Sequence, residues 1–314
     1  MEPLFFKPLY KKVIWGGNNI SKALKRDITE NDIGESWELS AHPNGLSEIE
    51  SNYLTEKNLL ELFNNKKLRK DIFGKNCEKL EKFPILIKFI DATKKLSIQV
   101  HPNNEYAKKH ENDSGKTEVW YIMECKDDAK IIYGFKKEIK LANLNEAVDN
   151  IEENVKYVTV HKGDFISIPS GTIHAIMDGI MLCEIQQSSD VTYRLYDWNR
   201  LDKNGKPREL HKQKALDVIN LNNDNKIYNY EKIKSNMNIY KSKSFNIDMI
   251  KVKGQIYETS NEDSFFAYIV LDGKGSIKTS KYCKKIEKGT TFLVPATLGN
   301  YSLIGNMKLM KIYI

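Results

Sequence analysis

Three short stretches of this chain carry side chains suited to holding a metal and moving protons. In LSIQVHPN, apolar Leu96, Ile98 and Val100 alternate with Ser97, Gln99 and His101, so three polar groups share one face of a strand. Gln99 and His101 stand two residues apart, the spacing by which one strand offers two ligands to one metal. GKTEVWYI reads as a second strand, with Lys116, Glu118 and Trp120 on a common face. Further along, GDFISIPSGTIH ends in a Pro-x-Gly turn that delivers His174 at the head of another strand.

These stretches carry a family pattern. Gly163, five residues, Pro169-x-Gly171, two residues and His174 match the second motif of the cupin superfamily, and LSIQVHPN with KTEVWYI occupies the place of the first. Gln-x-His stands where many cupins have His-x-His. Together with GESWELSAHPNG (34–45) and QQSSDVTYRLYDWNR (186–200), the chain resembles class I mannose-6-phosphate isomerases, most of all the short bacterial form. The resemblance is densest between residues 30 and 200. It implies that Gln99, His101, Glu118 and His174 are the ligands of one zinc ion and that Arg194 is a catalytic arginine. It also implies interconversion of mannose 6-phosphate and fructose 6-phosphate through an enediol.

The donor set is two imidazoles, a carboxylate and an amide oxygen. It suits Zn²⁺ with an open position, and Fe²⁺, Mn²⁺ or Co²⁺ are chemically acceptable substitutes. Lys116 lies two residues before Glu118, with attachment points about 7 Å apart, so its ammonium can reach a bound substrate. A surface lysine at a strand start is the competing reading. Arg194 in VTYRLYDW shares a predicted face with Thr192, Tyr196 and Trp198, and its planar fork suits a phosphate or oxyanion. A salt bridge is the alternative there. Ser97, Lys95 and Trp15 are candidate substrate contacts, each with a packing role as the rival reading. The proton carrier stays open among Lys116, Glu118 and a metal-bound water. Two other classes compete with the isomerase: a metal-dependent cupin of other chemistry, such as an oxygenase or another sugar-phosphate isomerase, and a non-catalytic sugar-binding cupin.

Composition narrows the field. The 314 residues are 40% hydrophobic and carry a net charge of +7, from 49 basic and 42 acidic side chains. That is a soluble globular balance whose mild positive field favours an anionic substrate such as a phosphorylated hexose. No basic run interleaved with aromatics suggests nucleic acid, and the apolar run FPILIKFI (83–90) is too short to span a bilayer. Cys77, Cys125, Cys183 and Cys283 are scattered without C-x-x-C spacing, which argues against a disulfide framework or a thiolate site. The expectation is a cytoplasmic protein, a monomer or weak homo-oligomer, with no membrane or nucleic-acid partner.

The elements that must position these groups are mainly β. Two cupin-like β-barrels (double-stranded β-helix, jelly-roll) are expected, with a helical insertion packed on the first. Residues 1–235 form the catalytic domain, with helical segments at 55–80 and 141–155, and 236–314 form a degenerate C-terminal cupin-like domain. Thr55 is the predicted N-cap and Gly74 the stop of the first helical segment. The domain junction falls within 201–240. His42, in a second His-Pro-Asn, reads as a hydrogen-bonded turn residue rather than a ligand. The C-terminal strands echo the first barrel: GTTFLVPATLGN lies over GDFISIPSGTIH, placing Asn300 over His174. FFAYIV lies over EVWYIM, placing Phe265 over Glu118 and Tyr268 over Tyr121. With no histidine in 245–314, the second barrel is expected to be filled by side chains and to hold no metal.

Overall fold

The computed structural model describes residues 1–314 except 52, 203 and 223–225. The predicted junction at 201–240 lies partly outside the described residues. Contacts divide the chain into two compact units, each assembled from separated segments. One comprises residues 10–36 and 87–231; the other comprises 1–9, 37–86 and 232–314. The sequence reading had kept all of 1–235 together.

The first unit is built on two sheets. A five-stranded sheet runs in the order Val155–Thr159, Lys130–Phe135, His174–Ile176, Ile98–Val100 and Tyr193–Tyr196. A larger sheet includes Asp164–Ile168, Glu118–Cys125 and Ile180–Gln187 as neighbours. Both sheets are open paths rather than closed barrels, so the β-helix is a jelly-roll of facing sheets. Ile131, Tyr133 and Ile176 from one sheet pack with Trp120, Ile122, Ile166 and Leu182 from the other, which places this core between them.

The opposite face of the five-stranded sheet is also covered. Ile98, Val100, Ile132 and Ala175 pack there with Leu144, Val148 and Ile151 of the helices Leu144–Asp149 and Ile151–Asn154, and with Ala215 of Lys212–Val218. This double burial explains the alternation in LSIQVHPN. Its apolar residues go under the helices, and its polar ones face the space between the sheets.

The second unit gathers the C-terminal strands into one eight-stranded sheet with Leu4–Lys7 and Glu48–Glu50. The helices Leu59–Asn64 and Lys66–Phe73, expected on the first barrel, belong to this unit. The first is capped by Asn58, whose side chain accepts from the Glu61 N–H, rather than by Thr55, and the second by Asn65, which accepts from the Lys67 N–H. Gly74 ends the segment at φ +85°, a conformation that a Cβ would strain. His42 ends the short strand Ala41–His42 at a tight turn, its Nδ1 accepting from the Asn44 N–H at 3.2 Å.

The internal repeat needs one correction. Val294 pairs with Phe266 and Phe292 with Tyr268, just as Ile168 pairs with Glu118 and Ile166 with Trp120. Phe266 is therefore the counterpart of Glu118, and Tyr268 that of Trp120. Phe265 faces the other way, its ring centroid 5.4 Å from Phe83 and 6.0 Å from Phe73. The overlay of FFAYIV was one residue out of register, and such a slip turns every side chain to the opposite face. Among the described residues, no helix is long and apolar enough to cross a membrane.

Candidate active site

His101 follows the strand Ile98–Val100, and its orientation is set by its neighbours. Its Nδ1 lies 2.9 Å from the Val191 carbonyl, and His174 Nδ1 lies 2.8 Å from the Thr172 carbonyl. With Nδ1–H donating in each case, both Nε2 lone pairs are left free. The Pro-x-Gly turn makes this possible. Gly171, at φ +86°, donates its N–H to the His101 carbonyl at 2.8 Å, and a Cβ there would meet Asn220 and the Val218 carbonyl. The turn thus ties the second motif to the first.

Glu118 lies across from them on the larger sheet. Its two oxygens stand 3.4 Å from His101 Nε2 and 3.4 Å from His174 Nε2. The ligand atoms of His101, Glu118 and His174 all lie within 4.8 Å of one another, and all three side chains are buried. The Gln99 amide joins them, its terminal nitrogen 3.3 Å from His174 Nε2. Turning that amide over brings its oxygen to the cluster and its nitrogen to Ser97 Oγ, now 3.1 Å from the oxygen.

The donors fit a metal cation. His101 Nε2 and Glu118 Oε1 are buried without any hydrogen-bond partner, a costly state for acceptors unless a cation sits between them. Donors about 2.1 Å from a tetrahedral centre stand about 3.4 Å apart, which is the spacing seen here. Burial pushes both imidazoles down, His101 well below its ordinary value and His174 to about 4, so each is neutral and ready to ligate. Burial also pushes the Glu118 carboxyl up.

A cleft opens beside this cluster, lined in part by Trp15, Ser97, Gln99, Lys116, Arg194 and Arg208. Lys116 is buried, with Nζ 3.6 Å from Glu118 Oε2. Arg194 donates from one terminal nitrogen to the Glu209 carbonyl at 2.7 Å, while its Nε is buried without a partner. Its predicted companions part from it. A register shift between Arg194 and Tyr196 sends Tyr196 and Trp198 to the helix-covered side, and Thr192 alone stays in the cleft lining. Lys95 is exposed, its Nζ over the Trp198 ring at 4.4 Å, outside that lining.

Five charged groups in this cleft were not among the expected site residues: Glu35, Lys88, Glu184, Asp190 and Arg208. Lys88 Nζ lies 3.2 Å from Glu184 Oε1 and 3.6 Å from Glu35 Oε2. Burial alone would lower the Lys88 ammonium, but Glu184 and Glu35 outweigh it and hold it above its ordinary value. A signal was present: Lys88 interrupts FPILIKFI and Glu184 interrupts IMLCEI, each a charge inside an apolar strand that needs a partner.

Comparison with known proteins converges on one family. Residues 4–118 match the model of the type I phosphomannose isomerase catalytic domain, and 236–314 match that of the mannose-6-phosphate isomerase cupin domain. The chain is 37% identical to mannose-6-phosphate isomerase ManA of Bacillus subtilis, over 97% of this chain and 96% of that one. It is 34% identical to the mannose-6-phosphate isomerase of Streptococcus mutans, over 98% and 97%. The crystal structure of the Bacillus subtilis mannose 6-phosphate isomerase superposes with a TM-score of 0.90 at 32% identity, covering 100% of each chain.

Proposed function

The chain belongs to the type I mannose-6-phosphate isomerases, and we propose that it interconverts mannose 6-phosphate and fructose 6-phosphate at a zinc ion held by Gln99, His101, Glu118 and His174. The observation that carries the metal is the set of buried, unpartnered acceptors facing one another between the two sheets. Full-length kinship with these isomerases sets aside the other cupin chemistries and the non-catalytic sugar binder.

When bound, zinc supplies a Lewis acid toward the carbonyl and hydroxyl oxygens at C1 and C2 of the open-chain sugar. The chain's own residues supply the rest. Glu118 has an imidazole nitrogen opposite each oxygen, which commits it to ligation. Lys116 Nζ, beside it, would protonate O1 as the C2–H bond breaks and take a proton from O2 as the C1–H bond forms, the carbon-bound proton passing from C2 to C1 on a base in the cleft. Arg194, with its buried and unpaired Nε, stabilises the negative charge that develops on the enediolate. Trp15 and Ser97 line the cleft and position the sugar chain; Lys95 lies outside it and is given no role.

This reading carries a cytoplasmic enzyme, monomeric or weakly self-associating, acting on a phosphorylated hexose without nucleic acid or membrane. Segments 10–36 and 87–231 bear the reaction, and the C-terminal cupin serves by packing. The test is turnover of mannose 6-phosphate by purified protein before and after chelation. Restoration by zinc together with one bound ion per chain supports the reading, and full turnover in metal-free protein overturns it.

A further inference from the structure

Two guanidinium groups converge on one carboxylate at the cleft, and a third stands near them. Asp197 accepts from Arg208 Nε at 2.7 Å and from a terminal nitrogen of Arg208 at 2.5 Å, and it also binds Arg200. The Arg194 guanidinium stands in the same group, drawn below its ordinary value by burial and then by Arg208. Asp197 thus answers two guanidinium groups with one carboxylate, and Arg208 keeps hydrogen-bonding capacity that Asp197 does not use. A half-buried guanidinium with a free edge is best completed by an anion.

The three arginines are not equivalent. Arg200 commits all its nitrogens to the protein: Nε to the Asp197 carbonyl at 3.2 Å, one terminal nitrogen to the Asp197 carboxylate and the other to the Lys95 carbonyl. It is a brace. Arg194 lies with Gln99 and Lys116, where the sugar oxygens react. Arg208 spends Nε and one terminal nitrogen on Asp197, and its second terminal nitrogen has no hydrogen bond among the described residues. Its side chain is 28% exposed and lines the same cleft, whereas Asp197 is 6% exposed and fixed. A guanidinium held by a buried carboxylate on one edge, with its other edge toward the cleft, is a preorganised anion receptor.

We propose that Arg208, oriented by Asp197, recognises the phosphoryl group of the substrate. Arg208 is thereby the residue that makes the enzyme select a sugar phosphate over a free sugar. The proposal rests on the isomerase reading above. The phosphoryl dianion accepts from the free edge of Arg208, and its distance along the sugar chain from C1 and C2 suits the more exposed arginine of the cleft.

The test uses zinc-loaded protein and glucitol 6-phosphate, an open-chain hexitol phosphate that cannot isomerise, titrated by calorimetry. Arg208→Gln should weaken its binding on the order of 10- to 100-fold, the scale of a lost charge-assisted contact, with zinc content unchanged. Arg208→Lys, which keeps the charge without the fork, should fall between. Asp197→Asn keeps both arginines but releases Arg208, so it should weaken binding in the same direction. With mannose 6-phosphate the Arg208→Gln loss should fall more on KM than on kcat. Wild-type affinity in Arg208→Gln and Arg208→Lys, or a fall in kcat at unchanged KM, would overturn the proposal. If wild-type protein fails to turn over mannose 6-phosphate, the isomerase reading falls, and the glucitol 6-phosphate titration still decides the role of Arg208.

Discussion

Lys88 Nζ lies 3.2 Å from Glu184 Oε1 with both side chains buried, so the cleft contains an ion pair with little water to screen it. Removing one partner of such a pair strands the other. Lys88→Met should therefore cost about 3 kcal/mol of unfolding free energy, and the double change Lys88→Met with Glu184→Leu should cost less than the single one. Urea denaturation of the metal-loaded proteins measures both, and a Lys88→Met protein as stable as wild type would show that the pair carries no such energy.

The metal site predicts a graded loss. His101→Ala and His174→Ala should each abolish stoichiometric metal and turnover, because a site reduced to three donors binds poorly. Gln99→Ala should be milder, since a neutral amide is the weakest ligand of the set. Elemental analysis alongside the activity assay decides it. Full zinc and full turnover in His174→Ala would refute the assignment.

Arg194→Lys keeps the positive charge but loses the planar fork. Metal content should persist while turnover falls on the order of 100-fold. A near-normal rate would reduce Arg194 to its bond with the Glu209 carbonyl.

Acid should destabilise the chelated protein. His174 is held at about 4 when folded, against an ordinary 6.5 when unfolded, and His101 is depressed in the same direction. The unfolded chain thus binds the extra protons. The stability these neutral imidazoles contribute is complete above pH 6.5 and drains as pH falls toward about 4, by up to about 1.4 kcal/mol per pH unit for each. Melting temperature followed from pH 7 to pH 4.5 measures the slope. A flat profile, or one that His174→Asn leaves as steep, would contradict the cause.

The C-terminal cupin should hold no metal, because Phe266 occupies the ladder position of Glu118 and residues 245–314 have no histidine. Metal analysis should return one ion per chain. A chain ended near residue 240 should be poorly soluble, since Leu4–Lys7 then loses its partner Thr291–Val294 and Phe5 its stacking on Phe292. Two tightly bound ions, or an unchanged melting temperature after truncation, would count against it.

How much of this could be read from the sequence depended on whether the signal was local. The ligands were legible because strand alternation and the Gly-x5-Pro-x-Gly-x2-His framework fix side-chain direction within a few residues. Lys88 and Glu184 were not paired beforehand, because they are far apart in the chain and meet only when Ile85–Ala92 and Ile180–Gln187 lie side by side in the larger sheet. Tyr196 and Trp198 were misplaced by a bulge, which strict alternation cannot anticipate. Arg208 sits in KNGKPREL, a stretch without periodicity, and only its grip on Asp197 reveals it.

The strand Leu4–Lys7 hydrogen-bonds to Thr291–Val294, near the opposite end of the chain. Its other edge pairs with Glu48–Glu50, so one side is filled by residues made soon after it while the other must wait for Thr291–Val294. At about 5–20 residues per second that delay is roughly 15–60 seconds. Residues 10–36 and 87–231 form a compact unit of their own and precede Thr291, so the metal-bearing sheets can close while the second edge of Leu4–Lys7 is still open. For that interval Leu4, Phe5 and Phe6 keep an apolar face and an open strand edge, the kind of surface that chaperones bind, and the docking of Thr291–Val294, with Phe292 stacked on Phe5, is the event that ends the exposure.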